Sequence, residues 1–107
     1  MLLSIGTHRT TTTVRLDLIG EIDMSTAAQL SRAITEALDS GADDIIIDLD
    51  GATFCDCAGI TALLNGRQEA LARQVGYQVR NANGNPLRVL RALGLQAMLT
   101  GATSQPA

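Results

Sequence analysis

Asp44-Ile45-Ile46-Ile47-Asp48-Leu49 is a run of β-branched residues with no polar position in its centre. That is the pattern of a strand covered on both faces. Such a strand belongs in the middle of a sheet, and the segments on either side of it are expected to supply its neighbours and its cover.

Upstream, Val14-Arg15-Leu16-Asp17-Leu18 alternates apolar and polar residues and is followed by Gly20, which predicts a half-buried strand with one wet face. Leu3 and Ile5 suggest a shorter strand before it, and the polar, Thr-rich residues 8–13 a hairpin turn between the two. Ser25 and Thr26 offer hydroxyls to cap a helix, and Thr26-Ala27-Ala28-Gln29 has the spacing of a capping box. Ala27, Leu30, Ile34, Ala37 and Leu38 then recur every three to four residues until Ser40-Gly41. This is an amphipathic helix laid on a sheet.

Downstream, residues 50–56 read as a loop and residues 58–75 as a second helix with Ile60, Leu63, Leu64, Leu71 and Val75 on its buried side. Gly76 ends it, and Tyr77-Gln78-Val79-Arg80 resumes the alternation of a strand. Asn83-Gly84-Asn85-Pro86 is a turn into an Asn cap with Pro at the first helical position. A third helix over residues 86–93 is expected to bury Leu87, Leu90 and Leu93 before Gly94 closes it. Met98-Leu99-Thr100 suggests a last short strand, and residues 101–107 a frayed tail. The order β-β-α-β-α-β-α-β predicts an α/β fold with a mixed, mostly parallel sheet. One domain is expected over residues 1–107, its ordered core covering about residues 2–100.

With 46% hydrophobic residues but one Phe, one Tyr and no Trp, the core must be built from Leu, Ile, Val and Ala. All eight basic residues are Arg. Residues 1–56 hold ten of the eleven acids and three Arg, a balance of −7, whereas residues 57–107 hold one acid and five Arg, a balance of +4. A net charge of −3 argues against a nucleic-acid binder, which needs a positive footprint, and the asymmetry suits either a protein partner or charges that simply solvate the surface. Residues 1–6 lack the basic start, long apolar core and cleavage site of a signal peptide, and the apolar runs fall far short of the ~20 residues that span a bilayer. A cytoplasmic protein with reduced Cys55 and Cys57 is expected, with no membrane partner. No phosphate-binding glycine loop, Ser-His-Asp set or metal-ligand cluster is present in the sequence, so neither cofactor nor metal is expected.

Two segments carry more than a fold. Gly20-Glu21-Ile22-Asp23, followed by Thr26-Ala27 and Leu30, and then Asp48-Leu49-Asp50-Gly51-Ala52-Thr53-Phe54-Cys55-Asp56-Cys57-Ala58-Gly59-Ile60, resemble the signatures of STAS domains of the anti-sigma factor antagonist type. The matching elements extend to Gly94-Leu95. The resemblance implies a protein that binds an anti-sigma factor, itself a histidine-kinase-like ATPase, and so frees a sigma factor. In that family the kinase reverses the binding by phosphorylating a Ser at the start of the second helix. A hydroxyl there lies near unsatisfied backbone N–H groups, so the fold tolerates a phosphate while the docking surface gains about two negative charges.

In this chain the phosphoacceptor position falls on Ala58, and the preceding Ser of the family pattern on Cys57. Ala58 has no hydroxyl, so the usual switch cannot operate there. The domain is expected to bind constitutively, to be switched by another route, or to serve a scaffold with no kinase. The expected partner surface is Asp23, Asp56, Cys57, Ala58, Gly59 and Ile60; the simpler reading of the two acids is that Asp56 caps the second helix and Asp23 caps the first or holds a turn. Thr53 and Thr61 are the nearest substitute hydroxyls, and lone His8 is expected in solvent.

Cys57 at a helix start is a candidate redox site with Cys55, although the Asp56 charge opposes thiolate formation and a bridge between residues two apart is strained. The plain alternative is two inert, partly buried cysteines. The leading expectation is thus a non-enzymatic binding module, with a homodimer left open. Its rivals are a structural STAS subunit of a stressosome-like or transporter-associated complex, and a thiol enzyme or redox sensor built on Cys57.

Overall fold

A computed structural model of the chain describes residues 2–100. The elements are β1 (Leu3–Arg9), β2 (Thr13–Ile22), α1 (Ala27–Asp39), β3 (Asp44–Cys55), α2 (Cys57–Ala72), β4 (Gly76–Arg80), α3 (Gly84–Ala92) and α4 (Gln96–Thr100). The four strands lie in chain order, with β1 antiparallel to β2 and with β2, β3 and β4 mutually parallel. The mixed α/β sheet is therefore the expected one. The last strand is not: residues 96–100 form α4, because Gly94 (φ 69°) turns the chain at the end of α3 and Leu95 N–H returns to Leu90 O at 2.9 Å. The expected tail, residues 101–107, lies outside the described residues.

The register puts Val14 beside Ile45 and Leu16 beside Ile47, with Val79 next to Ile47 on the other side. All five are essentially inaccessible and form one core with Leu30, Ile34, Ile60, Leu63, Leu90 and Leu99 from the four helices. Each such aliphatic side chain contributes roughly 1.5–3 kcal/mol on burial. The alternate positions Arg15, Asp17, Ile46, Asp48 and Gln78 form the other face, which no helix among the described residues covers. The β3 strand is thus covered on one side, not both. Ile46 is only half-buried, and the paired charges around it keep this face wet: Asp17 accepts from Arg15 Nε at 2.9 Å and lies 2.9 Å from His8 Nε2.

Both long strands run further than their alternation suggests. β2 continues through a bulge at Gly20, whose φ of 118° and close approach to the Leu2 carbonyl exclude a side chain. β3 continues to Cys55, so most of the expected loop over residues 50–56 is strand.

Several local signals resolve differently from their sequence reading. Thr26 is the N-cap of α1, but no capping box forms: its Oγ1 donates to Glu21 O at 2.8 Å, and Gln29 reaches Leu3 O at 2.9 Å. α2 stops at Ala72, the left-handed residue being Gln74 (φ 59°), while Gly76 opens β4. Leu71 and Leu93 are about half exposed, at 54% and 50%, and not buried. The α3 cap is Asn83, and Pro86 sits two residues further in than expected, still within the first turn where its missing N–H costs nothing.

Candidate functional site

The C-terminal ends of β2 and β3 stop side by side, with Ile22 paired to Cys55. Asp56 follows at once: its N–H donates to Ile22 O at 3.1 Å, and its extended backbone (φ −102°, ψ −172°) lets the carboxylate turn over α2 and accept Gly59 N–H at 3.0 Å. The expected cap is therefore in place. Gly59 is buried against Ile22, and a Cβ there would stand 2.7 Å from Ile22 O and 2.8 Å from Cys55 Sγ. The motif glycine is a close-approach residue that lets the first turn of α2 lie on the end of β2.

The neighbouring turn, residues 23–26, is held by its own polar network. Asp23 Oδ1 accepts from Ser25 N–H at 2.8 Å and from Ser25 Oγ at 2.6 Å, while Asp23 N–H donates to Thr26 Oγ1 at 2.9 Å. Asp23 and Thr26 are both buried. The hydrogen bond from Ser25 holds the Asp23 carboxyl below its ordinary range, against the opposing effect of burial. Asp23 thus holds a turn and does not cap α1.

The structure brings the six residues of the expected surface to this one end, at different depths. Cys57 is exposed, Asp56 and Ala58 are half-buried, and Asp23, Gly59 and Ile60 lie beneath the surface. Cys57, Ala58 and Asp56 are thus the accessible part of this end, with Gly59 and Ile60 beneath them. Thr53 and Thr61 are exposed, yet each is engaged, Thr53 Oγ1 with Gly20 O at 3.3 Å and Thr61 Oγ1 with Cys57 O at 2.9 Å. His8 is exposed as expected, far along the sheet beside Asp17.

The two cysteines differ. Burial, with smaller contributions from Asp56 and Cys57, pushes the Cys55 thiol up to about 12, so it stays protonated and unreactive near neutrality. Cys57 is exposed and so departs from the reading of two partly buried cysteines. Among the described residues no cluster of His, Cys, Asp or Glu could hold a metal ion, and no helix is long and apolar enough to cross a membrane.

Two residues here escaped the sequence reading. Asn85, read as a cap, instead accepts Cys55 N–H through Oδ1 at 2.9 Å and ties α3 to the end of β3. Met24, 82% exposed, is the large apolar side chain at the tip of the locked turn. Its signal was a single apolar residue set between Asp23 and Ser25-Thr26.

A family model described as Mlab, STAS domain, matches residues 5–100. Among solved structures, an anti-sigma factor antagonist from Mycobacterium paratuberculosis superposes with a TM-score of 0.81 at 23% identity, covering 92% of this chain and 83% of that one. The anti-sigma factor antagonist SpoIIAA in its unphosphorylated form gives 0.75 at 23% identity, covering 87% and 83%. A sulfate transporter family protein from Wolinella succinogenes gives 0.72 at 13% identity, covering 86% and 75%. No curated protein matches. At these identities the likeness to solved structures establishes the fold.

Proposed function

The chain belongs to the STAS domain family, and from that premise we propose that it is an anti-sigma factor antagonist-like binding module whose docking end is the turn at residues 23–26 together with the first turn of α2. The observation that carries this is the position of Ala58. It lies half-buried in the first turn of a capped helix, beside exposed Cys57, where the family pattern has a modifiable alcohol and this chain has a methyl group.

The rest of the docking end is built for rigid presentation: the Asp56 cap, the glycine contact at residue 59 and the Asp23 turn fix it before any partner arrives. A preorganised surface loses little entropy on binding. The partner we infer is an anti-sigma factor of the histidine-kinase-like ATPase type in the cytoplasm, bound without the phosphorylation that dismisses it in relatives. Affinity-tagged protein in a lysate of the native host should recover such an ATPase. The captured kinase with ATP should leave position 58 unphosphorylated, and Ala58→Ser should take up phosphate at that residue. Phosphate elsewhere on the unmodified chain contradicts binding that is free of phosphorylation control.

A second reading is favoured by the fold shared with the Wolinella sulfate transporter family protein: a structural STAS subunit within a transporter-associated assembly. Recovery of membrane-complex or scaffold components without an ATPase anti-sigma factor supports this reading over the first.

A further inference from the structure

The docking end carries two exposed sulfur atoms, the Met24 thioether and the Cys57 thiol, and no free alcohol at position 58. Met24 is 82% exposed, whereas Met98 on α4 is 39% exposed. Exposure of Met24 is imposed by the fold: Asp23 and Thr26, on either side of it in the turn, are buried and hydrogen-bonded to each other, and Ser25 is bonded twice to Asp23. The end of β2, from which this turn leaves, is tied to the start of α2 by Asp56 N–H to Ile22 O and by the close approach of Gly59 to Ile22. An apolar side chain held out in water on a rigid turn, at a surface read as a docking site, has the character of an interface anchor. A thioether is also an anchor that an oxidant turns polar, and a reductase turns back, without breaking the chain.

We propose that Met24 is both the apolar anchor of this surface and its switch, a peroxide converting its thioether to the sulfoxide and thereby dismissing the docked partner. This rests on the docking reading above. In the reaction a lone pair on Met24 Sδ attacks one oxygen of hydrogen peroxide. The S–O bond forms as the O–O bond breaks, sulfur is oxidised by two electrons, and the other oxygen, with both hydrogens, leaves as water. No other group of the protein is consumed, and a methionine sulfoxide reductase reverses the change. The S–O dipole would have to be stripped of water to re-enter an apolar socket, which opposes docking as a phosphate does in relatives. A sulfur thus takes over, at the same end of the sheet, the modifiable role that Ala58 cannot fill.

The test treats the full chain with hydrogen peroxide at neutral pH and then with dithiothreitol, which returns disulfides and sulfenic acids to thiols and leaves methionine sulfoxide in place. Peptide mass spectrometry should find Met24 sulfoxide forming at least about twofold faster than Met98 sulfoxide, in step with their exposures, with the far-ultraviolet circular dichroism unchanged. Equal rates, or faster oxidation at Met98, overturn the assignment of Met24. The same treated protein, immobilised, should capture at least about tenfold less of the ATPase from a native lysate, and reductase should restore the capture. In Met24→Leu, whatever amount is captured should be unaffected by peroxide. Undiminished capture by oxidised wild type, or an equal loss in Met24→Leu, overturns the switch. Failure of untreated protein to capture any ATPase refutes the docking reading and the switch with it, and is distinguished by the order of oxidation, which is read without a partner.

Discussion

The carboxylate of Asp56 accepts the backbone N–H of Gly59 at 3.0 Å. That contact closes the first turn of α2, and because Asp56 N–H also binds Ile22 O at 3.1 Å, one residue both begins the helix and ties it to the end of β2. Asp56→Ala should cost about 1 kcal/mol, the usual loss for an N-cap. Urea denaturation should show a lower midpoint with an unchanged slope, and an unchanged midpoint would mean that the cap does not hold the helix start.

Gly59→Ala should be more damaging than its single methyl suggests. The new Cβ would lie 2.7 Å from Ile22 O and 2.8 Å from Cys55 Sγ, and neither the strand backbone nor the buried sulfur can withdraw freely. Overpacking of this kind costs about 1–3 kcal/mol. Thermal unfolding should show a lower Tm, and the altered spacing should broaden amide resonances at residues 22–25 and 56–60.

How far the sequence discloses the molecule depends on how local each signal is. The alternation in β2, the 3.6-residue period of α1 and the Asp56 cap are decided within a few residues, and all lie where the pattern puts them. The cover on β3 is a property of the whole fold. Ile45, Ile46 and Ile47 look alike in sequence, yet Ile46 faces the open side because the helices gather on the other. The five residues of α4 are too few for periodicity to separate helix from strand, and the burial of Leu99 suits either. At the site, the motif residues were legible as a group, but their depths were not: Gly59 and Ile60 support the surface from below, and Asn85 joins it from 30 positions away.

The two thiols should label in a fixed order. An alkylating probe at pH 7–8 should modify exposed Cys57 in the native protein and reach Cys55 only on unfolding, because burial pushes that thiol up to about 12. Mass spectrometry of the digest distinguishes the sites. Labelling of Cys55 in the native state would mean that the end of β3 opens.

Asp23 makes the turn sensitive to acid in a definite direction. Its carboxyl titrates below the ordinary range in the folded chain, so its contribution to stability is full above the unfolded value of about 3.9 and is lost as pH falls through the folded value. Ser25→Ala removes the main cause, and carboxyl NMR titration should then place Asp23 closer to the unfolded value. The stability gap between wild type and this variant should narrow below about pH 4. A gap that widens on acidification would reverse the sign of the effect.

Whether a protein docks on the start of α2 around Ala58 is decided by the affinity of the captured ATPase for Ala58→Glu. A charge at this half-buried methyl should weaken binding at least about tenfold by calorimetric titration, while circular dichroism and the unfolding midpoint report an intact fold. Equal affinity for wild type and Ala58→Glu would place the docking surface elsewhere on the molecule.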